Sequence, residues 1–166
     1  MKAKPGALTC IEMPEVGMDE NNAIDVVEHL IQRCRDGQNG FREAAEKVKR
    51  TDLKTFFNQV SEERGRFAQE LQVELAKLGK PDKQVSGSTE GALHRAWVDT
   101  KVALGGDDHT VLDWLEHGED VAKDAYNKAL AGNLPSTLGQ IVQRQAASVQ
   151  RVHDQVKALR DQSKAA

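Results

Sequence analysis

Residues 51–78 read TDLKTFFNQVSEERGRFAQELQVELAKL. Leu53, Phe57, Val60, Phe67, Leu71 and Leu78 recur at the three-to-four-residue spacing, or twice it, that lines one face of an α-helix. Thr51-Asp52 is a start signal ahead of them, and Gly79 with Pro81 stops the pattern behind them. The slot between Val60 and Phe67 holds Arg64. The stretch therefore predicts a long amphipathic helix with a guanidinium in the middle of its apolar stripe.

The same reading extends outward in both directions. Ile24, Val27, Ile31, Cys34, Phe41, Ala45 and Val48 form an earlier stripe, with Gln38 in its one empty slot. Gly37 and Gly40 lie within it, each costing about 1 kcal/mol relative to alanine, which predicts one long helix with a soft or kinked centre. KPDKQVSGST, residues 80–89, reads as a long loop. A third helix is predicted from Ser88–Glu90, with Leu93, Trp97, Thr100 and Leu104 as its inner face. Gly105-Gly106 ends it, and Asp107 or Asp108 can cap the next. Leu112, Leu115, Ala122, Tyr126 and Ala129 mark a fourth segment. Pro135 suits the first turn of a last helix lined by Leu138, Val142, Val149, Val152, Val156 and Leu159. Residues 1–19, with Pro5, Gly6, Pro14 and Gly17, read as a flexible N-terminal tail, leaving a helical domain over 20–162.

Composition agrees with an all-α chain. Its 166 residues fit one domain, and 4% aromatic content with four prolines leans away from an all-β sandwich. A net charge of −3 argues against nucleic acid as a partner. No apolar run approaches the roughly 20 residues that span a bilayer, and the first ten residues lack a signal-peptide core, so no membrane and a cytoplasmic location are expected. Two cysteines, Cys10 and Cys34, are too few for a disulfide scaffold or a thiolate zinc site. Cys34 reads as a small core residue, and Trp97 as a core anchor with His94 its polar neighbour. No phosphate-binding loop and no Gly-x-Ser-x-Gly elbow occur. The 26 acids and five histidines leave a metal site open, so their positions must decide.

Several polar residues interrupt the stripes. Glu119 lies between Leu115 and Ala122, and Gln145 between Val142 and Val149, while His153 and Asp36 flank their stripes. A buried charge must meet a partner or lose several kcal/mol. Arg64 is therefore expected to pair with Glu119, with Asp36 or Gln38 nearby. The competing expectation is that both long side chains snorkel to water from the stripe's edge.

The segments CRDGQNGFREAA (34–45), FNQVSEERGRFAQELQ (57–72), GSTEGALHRAW (87–97) and GEDVAKDAY (118–126), with the last helix bearing His153, carry a resemblance. The chain resembles a bacterial family of ferritin-like four-helix-bundle proteins of unknown function, distant kin of rubrerythrin and ferritin. GEDVAKDAY is similar to the stretch that carries a metal-ligating Glu in rubrerythrin-like proteins. The resemblance implies an up-down bundle of long antiparallel helices with a crossover and a broken third helix. A simple up-down bundle of five helices is the runner-up. It also implies a homo-oligomer and a stress-associated role.

Ferritin-like di-iron proteins bring Glu-x-x-His from each of two helices, because residues three apart share a face. The residues three before the five histidines are Val26, Gly91, Gly106, Trp114 and Gln150, so the motif is absent. By the resemblance, the ligand positions fall on Asp36, Arg64 and Phe67, Glu119, and Gln150 with His153. A guanidinium cannot ligate a metal but can supply a cation's charge. The reading is a non-catalytic protein without a cofactor, its degenerate di-iron site replaced by a network of Arg64, Glu119, Gln38 and Gln145. The alternatives are an iron- or manganese-binding oxidoreductase or iron-handling protein with Glu119, His153 and Asp36 as ligands, and a binder of small molecules between the helices.

Overall fold

A computed structural model describes residues 19–164. The tail expected over residues 1–19 lies outside these, Asp19 excepted, as does Cys10. Five helices make up the described residues, with no strand among them: α1 (Glu20–Lys47), α2 (Thr51–Lys77), α3 (Thr89–Ala103), α4 (Asp108–Ala131) and α5 (Ser136–Lys164). The last helix runs two residues past the expected boundary at 162.

α1 continues unbroken through its two central glycines. A Cβ on Gly37 would lie 3.4 Å from the Arg64 side chain, and one on Gly40 would lie 3.4 Å from the Trp114 ring. Both are ordinary contact distances, so packing does not demand glycine at either position, and the helix carries their poor propensity through its packing on α2 and α4. The turns between helices use left-handed glycines where φ demands them, Gly79 at +91° and Gly105 at +102°. The expected cap on α4 forms through Asp107, whose side chain accepts from Thr110 N at 3.1 Å. Asp108 instead holds the connection between α1 and α2. Its carboxylate accepts from Lys49 N at 2.8 Å and Arg50 N at 3.3 Å, just ahead of α2.

α1 packs most extensively on α2 and also on α4, while α4 packs on α5. The residue pairs give the directions. Phe41 meets Phe57 with ring centroids 5.8 Å apart, and Arg64 lies over Gly37, so α1 and α2 are antiparallel. Tyr126 meets Gln145 and Glu116 meets Arg160, so α4 and α5 are antiparallel. Cys34 meets Tyr126 and Gly40 meets Trp114, so α1 and α4 are antiparallel too.

The buried apolar residues form two clusters. One gathers Val27, Leu30, Ile31, Leu71, Tyr126 and Val142 among others. The second gathers Phe41, Leu53, Phe57, Leu112, Trp114 and Val156 among others. Each large apolar side chain so buried contributes about 1.5–3 kcal/mol before chain entropy is counted. Between the clusters lies a waist of buried polar residues, with Ser61, Arg64, Glu116, Glu119, Gln145, Ser148 and His153.

The inner face expected for α3 is corrected. Leu93 is 68%, Trp97 50% and Leu104 82% exposed, and Val98 is the buried residue of that helix. Trp97 is thus not a core anchor; its ring carries Lys101 Nζ at 5.3 Å instead. Two anchors turn α3 the other way. Ser88 at its start is held by Asp36 of α1. At mid-helix, His94 and Trp114 of α4 exchange bonds: the indole Nε1 donates to His94 O at 2.9 Å, and His94 Nε2 donates to Trp114 O at 3.2 Å.

Candidate functional site: the polar waist

α2 and α4 carry Arg64 and Glu119 to the centre of the waist because each occupies a mid-stripe position that the helix must bury with its neighbours. Arg64 Nη2 donates to Glu119 Oε2 at 2.7 Å, and the two side chains are 2% and 3% exposed. The guanidinium also lies 5.8 Å from the Phe67 ring centroid. Burial pushes the Glu119 carboxyl above its usual range, and the Arg64 charge, followed by His153, draws it back. Arg64 Nε and Nη1 are shut from solvent without a hydrogen-bond partner. The pair thus satisfies charge more fully than it satisfies hydrogen bonding.

The other residues expected beside Arg64 make their hydrogen bonds to other partners. Gln38 Oε1 accepts from Arg35 Nη1 at 3.0 Å, and its amide lies against Gly65. Gln145 belongs to a separate chain of bonds. Tyr126 OH donates to Gln145 Oε1 at 2.7 Å, Gln145 Nε2 donates to Glu70 Oε2 at 2.8 Å, and Cys34 Sγ lies 3.1 Å from the same hydroxyl. Burial pushes the Cys34 thiol up to about 11 and the Tyr126 phenol well above 10. Both therefore stay protonated at neutral pH and serve as buried hydrogen-bonding groups.

Of the three residues considered as metal ligands, none shares a ligand group with another. Asp36 accepts from Ser88 N at 2.7 Å and from Ser88 Oγ at 2.6 Å. Glu119 is taken by Arg64. His153 lies between carboxylates, with Nε2 2.8 Å from Asp120 and Nδ1 3.0 Å from Asp154. Among the described residues, the potential ligand atoms that do gather are those of Glu116, Asp120 and His153, all within 4.8 Å of one another. Glu116 and Asp120 escape a reading of stripe positions because they flank Glu119 rather than fill a gap. Their separation by four residues on α4, opposite the histidine of α5, is the signal that could have found them. Arg160 already lies against Glu116, and Asp120 is exposed.

With the geometry in hand, a family model described as Domain of unknown function (DUF2383) matches residues 22–132, well over half of the chain. The chain belongs to the DUF2383 family. No curated protein sequence is significantly similar to it. Within the DUF2383 match fall α1 from its third residue and all of α2 to α4, and with them Asp36, Arg64, Glu116, Glu119 and Asp120; Gln145 and His153, on α5, lie outside it. No helix among the described residues is long and apolar enough to cross a membrane.

Proposed function

We propose that this DUF2383 protein is a ferritin-like helical bundle without redox catalysis, in which the guanidinium of Arg64 holds the place that a metal takes in di-iron relatives. The observation that carries this is the Arg64–Glu119 pair itself, 2.7 Å long, within a polar waist between two apolar clusters. Topology supports it as well. α1 is antiparallel to both α2 and α4, so α2 and α4 run the same way. Residues 78–107 must then travel back along the molecule, as the crossover of a ferritin-like bundle does.

The residues at the waist do not fit a di-iron centre. No Glu-x-x-His is present, and the carboxylate best placed to ligate is already bonded to a cation. A guanidinium and a metal would compete for the same oxygen, and the guanidinium cannot leave without stranding a buried charge. A second reading, iron or manganese binding, is favoured only by the Glu116–Asp120–His153 group.

Elemental analysis of the full chain, purified without chelator and then incubated with ferrous iron or manganese, tests both. Metal far below one ion per chain is expected. One ion per chain, lost in Glu119→Ala, would overturn the proposal. One ion per chain that survives Glu119→Ala but is lost in His153→Ala would establish the second reading instead.

A further inference from the structure

α3 packs on α1 and α4 and buries Val98 against them. Its other face stands in water. Leu93, Trp97 and Leu104 lie there, each at least half exposed, with exposed Ala96 and Thr100 between them. At about 100° per residue these five positions fall in a stripe roughly 100° wide. A stripe of that width is what an amphipathic helix buries against a neighbour, and here the fold supplies none. Single apolar residues on a surface are ordinary, whereas a contiguous strip of them marks an interaction face.

The rim of the stripe carries the sign of its occupant. Glu90 and Lys101 are both exposed and eleven residues apart. Eleven residues make three turns and about 20° more, so the two stand on the same edge, about 16 Å apart along the axis. Their present partners, Arg33 for Glu90 and the Trp97 ring for Lys101, leave both in water. An edge that is acidic at one end and basic at the other is complementary to itself. A two-fold axis across the helix reverses its direction and keeps the edge, so each Glu90 meets the Lys101 of the other copy, twice over. A parallel copy would set like charge against like. An anionic lipid surface suits the face poorly, since Asp99, Asp107 and Asp113 are exposed around it and the chain carries a net charge of −3.

We propose that a second copy of this chain covers the face, α3 lying antiparallel on α3 about a two-fold axis near Ala96. Leu93 and Trp97 of each copy are buried in the contact, and Glu90 lies against Lys101 of the other copy. Ala96, at the middle of the span, lets the helices approach closely. One helix of 15 residues from each side covers less than the roughly 1,600 Å² of a standard interface, so the dimer is weak, with a Kd on the order of 10–100 µM. The contact does not depend on the Arg64–Glu119 pair, which lies in the waist.

Sedimentation equilibrium of the full chain from about 5 to about 500 µM, in about 0.15 M salt, tests it. A monomer–dimer equilibrium in the stated range is expected. Leu93→Asp should weaken it at least about tenfold and keep the helical circular dichroism, because Leu93 already faces water. Glu90→Lys and Lys101→Glu should each weaken self-association about threefold to tenfold. An equimolar mixture of those two variants should dimerise at least as tightly as the wild type, because each mixed pair regains both acid–base contacts. The two changes then sit on different chains, so no effect within one chain can mimic the rescue. A chain still monomeric at about 500 µM, or a dimer indifferent to Leu93→Asp, would overturn the interface. A mixture no tighter than its two components would overturn the antiparallel arrangement. A monomer whose tryptophan emission shifts on anionic phospholipid vesicles, and does so no longer in Trp97→Phe, would assign the face to lipid instead.

Discussion

Arg64 shows what a single residue can be asked to do in a helical core. Its charge is met at 2.7 Å by Glu119, yet two of its nitrogens have no hydrogen-bond partner. Removing either member strands the other charge, so Arg64→Met or Glu119→Leu should each cost about 3–5 kcal/mol, whereas the double variant should return to near wild-type stability. Urea unfolding of the three variants measures this, and additive costs would disprove the coupling. Cys34 makes a second case. Its folded pKa is raised from 9.0 to about 11, so the thiol form's contribution is complete below about pH 9 and is lost as pH rises through 11. In a Cys10→Ser background at pH 8, a disulfide reagent such as dithiobis(nitrobenzoate) should modify Cys34 no faster than the protein unfolds. That Arg64 and Glu119 face the core is legible from the gaps they fill in their stripes. That Gln145 joins Tyr126 and Glu70 instead of Arg64 is not, because an amide in a stripe can be satisfied by any neighbour within hydrogen-bond reach.

At the scale of elements, α3 is the piece whose placement depends on contacts far along the chain. Asp36 sits in a cradle of glycines: a Cβ on Gly87 or Gly91 would come within 2.8 Å or 2.3 Å of its Oδ1. From there it holds the backbone and side chain of Ser88, which in turn caps Gly91 N at 2.9 Å. Asp36→Ala should destabilise by about 1–3 kcal/mol through the donors it leaves unmatched. It should also raise hydrogen exchange over residues 88–95 well above that in α2. Unchanged exchange there would show that the His94–Trp114 bonds alone hold α3. The 3.6-residue rhythm of Leu93, Trp97 and Leu104 is an ordinary amphipathic signal, but it points outward. Rhythm identifies a stripe without saying which neighbour it meets, and the two polar anchors outweigh one short apolar face.

Taken whole, the molecule has two apolar clusters threaded by the same four long helices, with the polar waist between them. Each of those helices contributes to both clusters, so neither half can melt without unravelling helices that the other half needs. Unfolding should therefore be a single cooperative transition. Trp114 lies in one cluster and Tyr126, the only tyrosine, in the other. In a Trp97→Phe background, the near-ultraviolet signals of Trp114 and Tyr126 and the far-ultraviolet helix signal should give one shared midpoint on heating. Separate midpoints would show that the waist divides the core into independent parts.

The chain's own order of residues determined where helices begin and end, which faces are apolar, which polar groups fall mid-stripe, and that no Glu-x-x-His can form. These are properties of neighbours three or four positions apart, and helix geometry alone converts that spacing into a shared face. Only the tertiary structure decided that Asp36 holds Ser88, that Asp108 holds the connection between α1 and α2, that Glu116, Asp120 and His153 gather, and that Gly118 lines a cavity. Each of these joins groups on separate segments, or a residue to a space walled by other helices. Ångström-scale polar contacts of this kind depend on the register and direction of helices joined by long connections. No local periodicity encodes that.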